Sequence, residues 1–162
     1  MFRAYTNKQR ELALLATIDP LTASGNRRLL GTKLSEVIAN QSREQYSICL
    51  LLLDLDGFKE INDEYGHAIG DQIIISVCKL VKEHTRVLDS LYRYGGDEFI
   101  IAPLSMNLKT AKKLAEKIRH DIKLTLSIGV SEYNIGDTPE SWISRADISL
   151  YKAKNNGRNK VY

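Results

Sequence analysis

The chain has 162 residues, 43% of them apolar and 27% charged, which suits one globular domain with a single core. Its net charge of +3, with no Lys/Arg block, excludes a polycation that binds nucleic acid through its global field. No run approaches the ~20 apolar residues that a membrane span requires, and MFRAYTNKQRE at the start lacks the apolar centre of a secretion signal.

Residues 3–17 read as a helix with Leu12, Leu15 and Ala16 on one stripe, ended before Pro20. A turn through Thr22-Ala23-Ser24-Gly25 leads to a second helix capped at Asn26, with Leu30, Leu34, Val37 and Ile38 at helical spacing. Residues 46–55 (YSICLLLLDL) form a continuous apolar run, which predicts a central strand buried on both faces. A short helix over 58–65 and a longer one over 68–84 follow, the latter placing Ile69, Ile73, Val77 and Leu80 on one face. Strand-like segments 88–94 and 98–103 flank Gly95-Gly96-Asp97, and this predicts a hairpin whose glycines allow positive φ. A helix over 107–121, an alternating strand over 124–130 and a last helix over 139–154 complete the order, with Gly157 placed to end the last. Interleaved helices and strands with one tight hairpin indicate an α+β sandwich on a mixed sheet. Cys49 and Cys78 lie inside apolar runs without metal spacing. They read as buried thiols, and a reducing, cytoplasmic setting is expected; a larger parent anchored to a membrane is compatible with this.

Four carboxylates fall where elements of such a fold must meet. Asp54 and Asp56 close the apolar strand, and Asp97 and Glu98 sit at the hairpin tip. Hard cations take oxygen ligands and accept few of them from protein, leaving the rest to water and phosphates. Two adjacent strands ending in these residues could present carboxylates a few ångströms apart, although Asp and Gly also simply make turns.

Tyr94-Gly95-Gly96-Asp97-Glu98-Phe99 contains the five letters of the GGDEF family, and further blocks occur in order. Asp19-Pro20-Leu21-Thr22 with Asn26-Arg27-Arg28 resembles the opening DPLT…NRR block. Asp54-Leu55-Asp56-Gly57-Phe58-Lys59, Asn62-Asp63, Gly66-His67 and Gly70-Asp71 resemble the central block. Ala146-Asp147, Leu150-Tyr151, Ala153-Lys154 and Gly157-Arg158-Asn159 resemble the closing one. The resemblance runs from about residue 18 to the C-terminus, so residues 1–17 read as a stalk-like helix and 18–162 as a GGDEF domain. It implies a nucleotidyl-cyclase-like fold: a central mixed, largely antiparallel sheet flanked by helices, related to the ferredoxin-like polymerase palm.

The resemblance also implies a function. The chain would be a diguanylate cyclase, a nucleotidyltransferase that condenses two GTP molecules into the bacterial second messenger cyclic di-GMP and releases pyrophosphate. It would act as a homodimer under an upstream sensor domain, with Mg²⁺ or Mn²⁺ as cofactor and no contact of this domain with nucleic acid or membrane. Asp54, Asp97 and Glu98 would be catalytic and, with the Leu55 carbonyl, metal-binding. GTP would meet Asp56, Gly57, Phe58 and Lys59 at a strand-to-helix turn, Gly95 and Gly96 at the hairpin, and Lys154 and Arg158 at its phosphates. Asn62 and Asp71 would read guanine, since a carboxylate accepts from its N1–H and N2–H₂ edge. Arg86 and Asp89 form an RxxD five residues ahead of GGDEF, the family's placement for an inhibitory product site, with Arg119 a candidate second arginine.

Two departures stand out. Ala23-Ser24-Gly25 replaces the usual Gly-Leu-Pro, which removes an apolar wall near the base. The connection after the 107–121 helix is too short for the accessory hairpin of many relatives. An alternative reading is a GGDEF module that has lost turnover and senses GTP or cyclic di-GMP; a ferredoxin-like nucleic-acid binder would want exposed strand aromatics, and these strands are aliphatic.

Overall fold

The computed structural model describes residues 17–41, 46–86 and 89–162. The stalk-like helix lies outside the described residues, except that Thr17 stands in a turn, its carbonyl accepting from the Asn26 amide at 2.9 Å. In chain order the elements are β1 (Gly25–Asn26), α1 (Arg27–Gln41), β2 (Cys49–Leu55), α2 (Phe58–Tyr65) and α3 (His67–His84). Then come β3 (Leu91–Arg93), β4 (Glu98–Leu104), α4 (Leu108–Asp121), β5 (Leu126–Glu132) and α5 (Pro139–Asn155). The five strands form one mixed sheet, ordered β1-β3-β4-β2-β5. All pairings are antiparallel except that of β1 with β3.

Every residue of β2 is buried, because the strand is covered on both sides. Cys49, Leu51, Leu53 and Leu55 face a core shared with α3 and α4. Ile48, Leu50 and Leu52 face a second core with α1 and α5. An uninterrupted apolar run is the form that a doubly covered strand takes. On β5 the period of two has a different use. Leu126, Ile128 and Val130 fill the first core, whereas Ser127, Gly129 and Ser131 are small and buried. A Cβ at Gly129 would stand 2.0 Å from the Ala146 carbonyl oxygen, so glycine there lets α5 lie close on the sheet. Asn26 caps α1 as expected, its Oδ1 accepting from the amides of Arg28 and Leu29 at 3.0 and 3.1 Å.

Three local expectations need correction. The core face of α3 is Gly70, Ile74, Val77, Cys78 and Val81. Ile69 is 41% exposed, and Ile73 and Leu80 are only partly buried, at a groove beside Ile122 and Leu124. The apolar residues of this helix outline two overlapping stripes, and the sheet selects one. Second, the strand before the hairpin is Leu91–Arg93, shorter than expected: Asp89, Ser90 and Tyr94 stand outside it, and residue 88 lies outside the described residues. Third, neither Gly95 nor Gly96 has positive φ. At Gly95 a Cβ would come within 2.6 Å of Glu98 Oε2, the movable end of that side chain.

Candidate active site

The register of two strands builds the site. In the β2–β4 ladder Asp54 lies opposite Glu98, and just beyond it the Leu55 amide donates to the Asp97 carbonyl at 3.3 Å. Asp54, Asp97 and Glu98 are thereby brought to one end of the sheet. Burial pushes the Asp54 carboxyl up to about 6, with the charges of Asp97 and Glu98 adding to it and Lys154 opposing. Burial also raises Glu98, and the neighbouring Asp97 raises it further. Such a cluster of carboxylates holds a concentrated negative field that calls for a counter-charge. Lys154, from α5, answers in part, its Nζ donating to Asp54 Oδ2 at 3.0 Å.

Beside the carboxylates opens a cleft of about 720 Å³. It is lined by the turn from β2 into α2, Asp56 to Glu60, and by Asp54, Asp97, Lys154 and Arg158 among others. Gly57 takes φ 70° at the N-cap of α2, a conformation that suits glycine. The first-turn amides of α2 have no acceptor within the helix, and their residues, Phe58 to Glu60, line this cleft. Asp56, expected to meet GTP at this turn, does not offer its amide, which donates to the Thr125 carbonyl at 3.0 Å and is already engaged at the sheet margin.

Asn62 is held on α2 with its Oδ1 buried and without a hydrogen-bond partner among the described residues. It packs on Gly70, where a Cβ would approach that oxygen to 1.9 Å. Asp71, next along α3, is exposed. An orphaned buried acceptor is costly and marks a place where a ligand's donor could enter. Ser24 is 3% exposed, its hydroxyl 2.7 Å from that of Thr22.

Arg86 and Asp89 stand apart from the cleft, at the end of α3. Asp89 takes the backbone of the turn rather than the Arg86 guanidinium, so the pair is not a salt bridge and the exposed Arg86 has no ion-pair partner among the described residues. Arg119 is committed elsewhere, to Glu116 at 2.8 Å and to Asn159 Oδ1 at 3.1 Å, which removes it as a free arm for the RxxD.

Sequence reasoning missed a brace under the hairpin. Arg93 donates twice to the Gly96 carbonyl, at 3.2 and 2.8 Å, and also pairs with Asp19 at 3.2 Å. Asp19 in turn accepts from the amide and hydroxyl of Thr22 at 2.8 and 2.7 Å. Burial works to raise the Asp19 carboxyl, but the Thr22 bonds and Arg93 outweigh it and hold it below the ordinary value. Nothing in the sequence signals this pair, because Asp19 and Arg93 are 74 residues apart and Arg93 lies outside the recognised blocks.

Comparison with known proteins agrees with this architecture. The family model described as "Diguanylate cyclase, GGDEF domain" matches residues 16–160. The bifunctional diguanylate cyclase/cyclic di-GMP phosphodiesterase MucR of Pseudomonas aeruginosa is 37% identical over 93% of this chain and 24% of its own length. Diguanylate cyclase A of Treponema denticola is 36% identical over 93% of this chain and 45% of its own. The chain thus spans between a quarter and a half of these curated relatives. Among solved structures, the coiled coil and GGDEF domain of DgcB from Caulobacter crescentus, in complex with c-di-GMP, superposes with a TM-score of 0.92. The two are 28% identical, and the match covers 99% of this chain and 92% of that one.

Proposed function

The chain belongs to the GGDEF domain family, and from that premise we propose that it is a diguanylate cyclase, joining two GTP molecules into cyclic di-GMP with release of two pyrophosphates. The observation that carries this reading is the strand register that sets Asp54 against Glu98 and next to Asp97, beside a cleft lined by Asp54, Asp97, Lys154 and Arg158. A relative is named for this reaction, and a structural neighbour is bound to c-di-GMP.

The phosphates of one GTP lie against the turn after β2, where helix-terminal amides and the dipole of α2 favour anions. Lys154 and Arg158 reach the β and γ groups as charge-assisted donors. Asn62 accepts from guanine, which satisfies its orphaned oxygen, and Asp71 takes a second donor from the same edge. Adenine lacks that pair of donors, so GTP is preferred over ATP.

Among the described residues no three His, Cys, Asp or Glu side chains converge closely enough to hold a metal ion alone. The mutually repelling carboxylates suit a hard cation that completes its shell with substrate phosphates. Asp54, Asp97 or Glu98, and the Leu55 carbonyl would hold Mg²⁺ or Mn²⁺, which when bound supplies positive charge to the attacking and leaving oxygens. The 3′-hydroxyl of the second GTP attacks the α-phosphorus of the first, and a carboxylate at the hairpin receives the hydroxyl proton. One domain offers one such cleft whereas the product contains two nucleotides, so two copies face each other during turnover. The RxxD of Arg86 and Asp89 is the proposed site for inhibition by product. In a longer parent protein, a sensor domain would sit upstream and act through the stalk, in the cytoplasm.

The test is incubation of the purified chain with GTP or ATP and Mg²⁺, followed by separation of nucleotides. Cyclic di-GMP from GTP, nothing comparable from ATP, and loss of product in Asp97→Ala are expected. Tight binding of GTP or cyclic di-GMP with no turnover at any protein concentration would replace the enzyme with a sensor.

A further inference from the structure

We infer that Asp56 is a positioning residue that aims Arg158 at the triphosphate by fixing a strained turn after α5; this rests on the phosphate-binding role proposed for Arg158. The Asp56 amide is spent on the Thr125 carbonyl, so its function must lie in its side chain. That carboxylate is held from one side, with Ser127 Oγ donating to its Oδ1 at 2.7 Å. Its second oxygen reaches across 103 residues of sequence to accept from the Asn159 amide at 3.0 Å.

The turn that Asp56 grips is unusual. Gly157, Arg158 and Asn159 have φ of 102°, 61° and 48° in succession. Glycine and asparagine enter the left-handed region readily, but arginine does so at a cost. Such a conformation persists only where the surroundings over-determine it. Here the tethers can be named. The Arg158 amide donates to the Ala153 carbonyl at 3.0 Å, and the Ile128 amide takes the Lys160 carbonyl at 2.8 Å. Asp56 fixes the Asn159 backbone, and Arg119 from α4 fixes its side chain at 3.1 Å. Between these anchors Arg158 lines the cleft. Without them the turn would relax toward ordinary φ and rotate the arginine away from the phosphates.

The consequence is selective. Loss of Asp56's grip weakens ligands that carry β- and γ-phosphates and leaves nucleoside monophosphate binding nearly intact. Calorimetry with GMP and with a GTP analogue bearing a methylene between the α- and β-phosphorus, which cannot react, reads this directly. Asp56→Asn keeps the shape but turns an amide donor or a weaker acceptor toward Asn159. It is expected to weaken the triphosphate about tenfold, as for one lost charge-assisted contact, and GMP less than about twofold. The same loss is expected for Arg158→Ala, and the double variant loses no more than either single, because both act through one contact. Equal weakening of both ligands, or additive losses, would overturn the inference.

A second readout does not need nucleotide. Amide exchange of Asn159, followed by NMR, is expected to be faster in Asp56→Asn; an unchanged rate would overturn the inference even if GTP binds well. Wild-type protein that binds neither ligand would sink the proposed function, while the exchange rate still decides the role of Asp56. If Asp56→Asn does not fold, Arg119→Ala, on the outer face of α4, removes the other tether and is expected to produce a smaller loss confined to the triphosphate. A loss shared equally with GMP would again count against it.

Discussion

At the residue scale, Asp54 is where function and stability oppose each other. Its folded-state carboxyl lies at about 6 rather than its ordinary 3.8, chiefly through burial. Between those values the folded chain holds a proton that the unfolded chain has released, so metal-free stability rises as pH falls through that window. Above about 6 the ionised group costs the fold free energy. Asp54→Asn is therefore expected to stabilise metal-free protein at pH 7.5, by up to about 3 kcal/mol for a shift of this size, and to abolish turnover. Thermal melts with chelator at pH 5 and pH 7.5 check this: the gain shrinks at the lower pH, and equal gains at both would contradict it. Gly70 makes a second case. Any Cβ there would strike Asn62 Oδ1, so Gly70→Ala is expected to displace that amide. KM for GTP is then expected to rise about tenfold, the worth of a lost hydrogen bond to a buried partner, with kcat less affected. Initial rates over a range of GTP concentration check it; an unchanged KM would show that Asn62 has no part in base recognition.

At the scale of elements, much of the sheet was legible because burial on both faces writes a plain pattern. The apolar run ending in Asp54 could only be a central strand, and the hairpin could only turn at Gly95-Gly96. The stripe on α3 was not legible, since its apolar residues satisfy two faces and tertiary packing chose between them. The engagement of the Asp56 amide was also hidden, because its acceptor is the Thr125 carbonyl from a distant segment. The meeting of Asp54 with Asp97 and Glu98 at one end of the sheet was expected from the motif spacing, but the braces beside them were not. Asp19 and Arg93 illustrate this: Asp19 opens a recognisable block and Arg93 falls just before another, yet only the fold joins them. Their side chains are 14% and 19% exposed, so breaking the pair leaves a partly buried guanidinium short of a partner. Asp19→Ala is expected to cost about 1–3 kcal/mol of stability. It is also expected to lower kcat ten- to a hundredfold, roughly what a misplaced catalytic group costs, through the Gly96 carbonyl that Arg93 secures. Denaturant melts and kcat at saturating GTP measure both; a stability loss with kcat unchanged would make the brace purely structural.

At the scale of the whole molecule, the two candidate sites lie at opposite ends of the β3–β4 hairpin. Asp97 and Glu98 are at the tip, whereas Arg86 and Asp89 precede β3. Product held at the distal end could keep two copies from facing each other without touching either cleft. Since Asp89 already shapes its own turn and Arg86 is exposed, the guanidinium is available to fork onto a phosphate or guanine edge. Arg86→Ala is expected to weaken cyclic di-GMP binding by one to two decades, read by calorimetry with the GTP cleft blocked. Equal binding by the variant and the wild type would remove the RxxD from regulation.

If each copy binds one GTP, as proposed, the product needs two copies, so the measurement that tests the proposal most directly is the initial rate of cyclic di-GMP formation from GTP and Mg²⁺ across a range of protein concentrations. The product is expected to appear with a specific activity that rises with concentration while the chain is mostly monomeric. No cyclic di-GMP at any concentration would contradict the assigned chemistry, and a constant specific activity in a proven monomer would contradict the facing of two loaded copies.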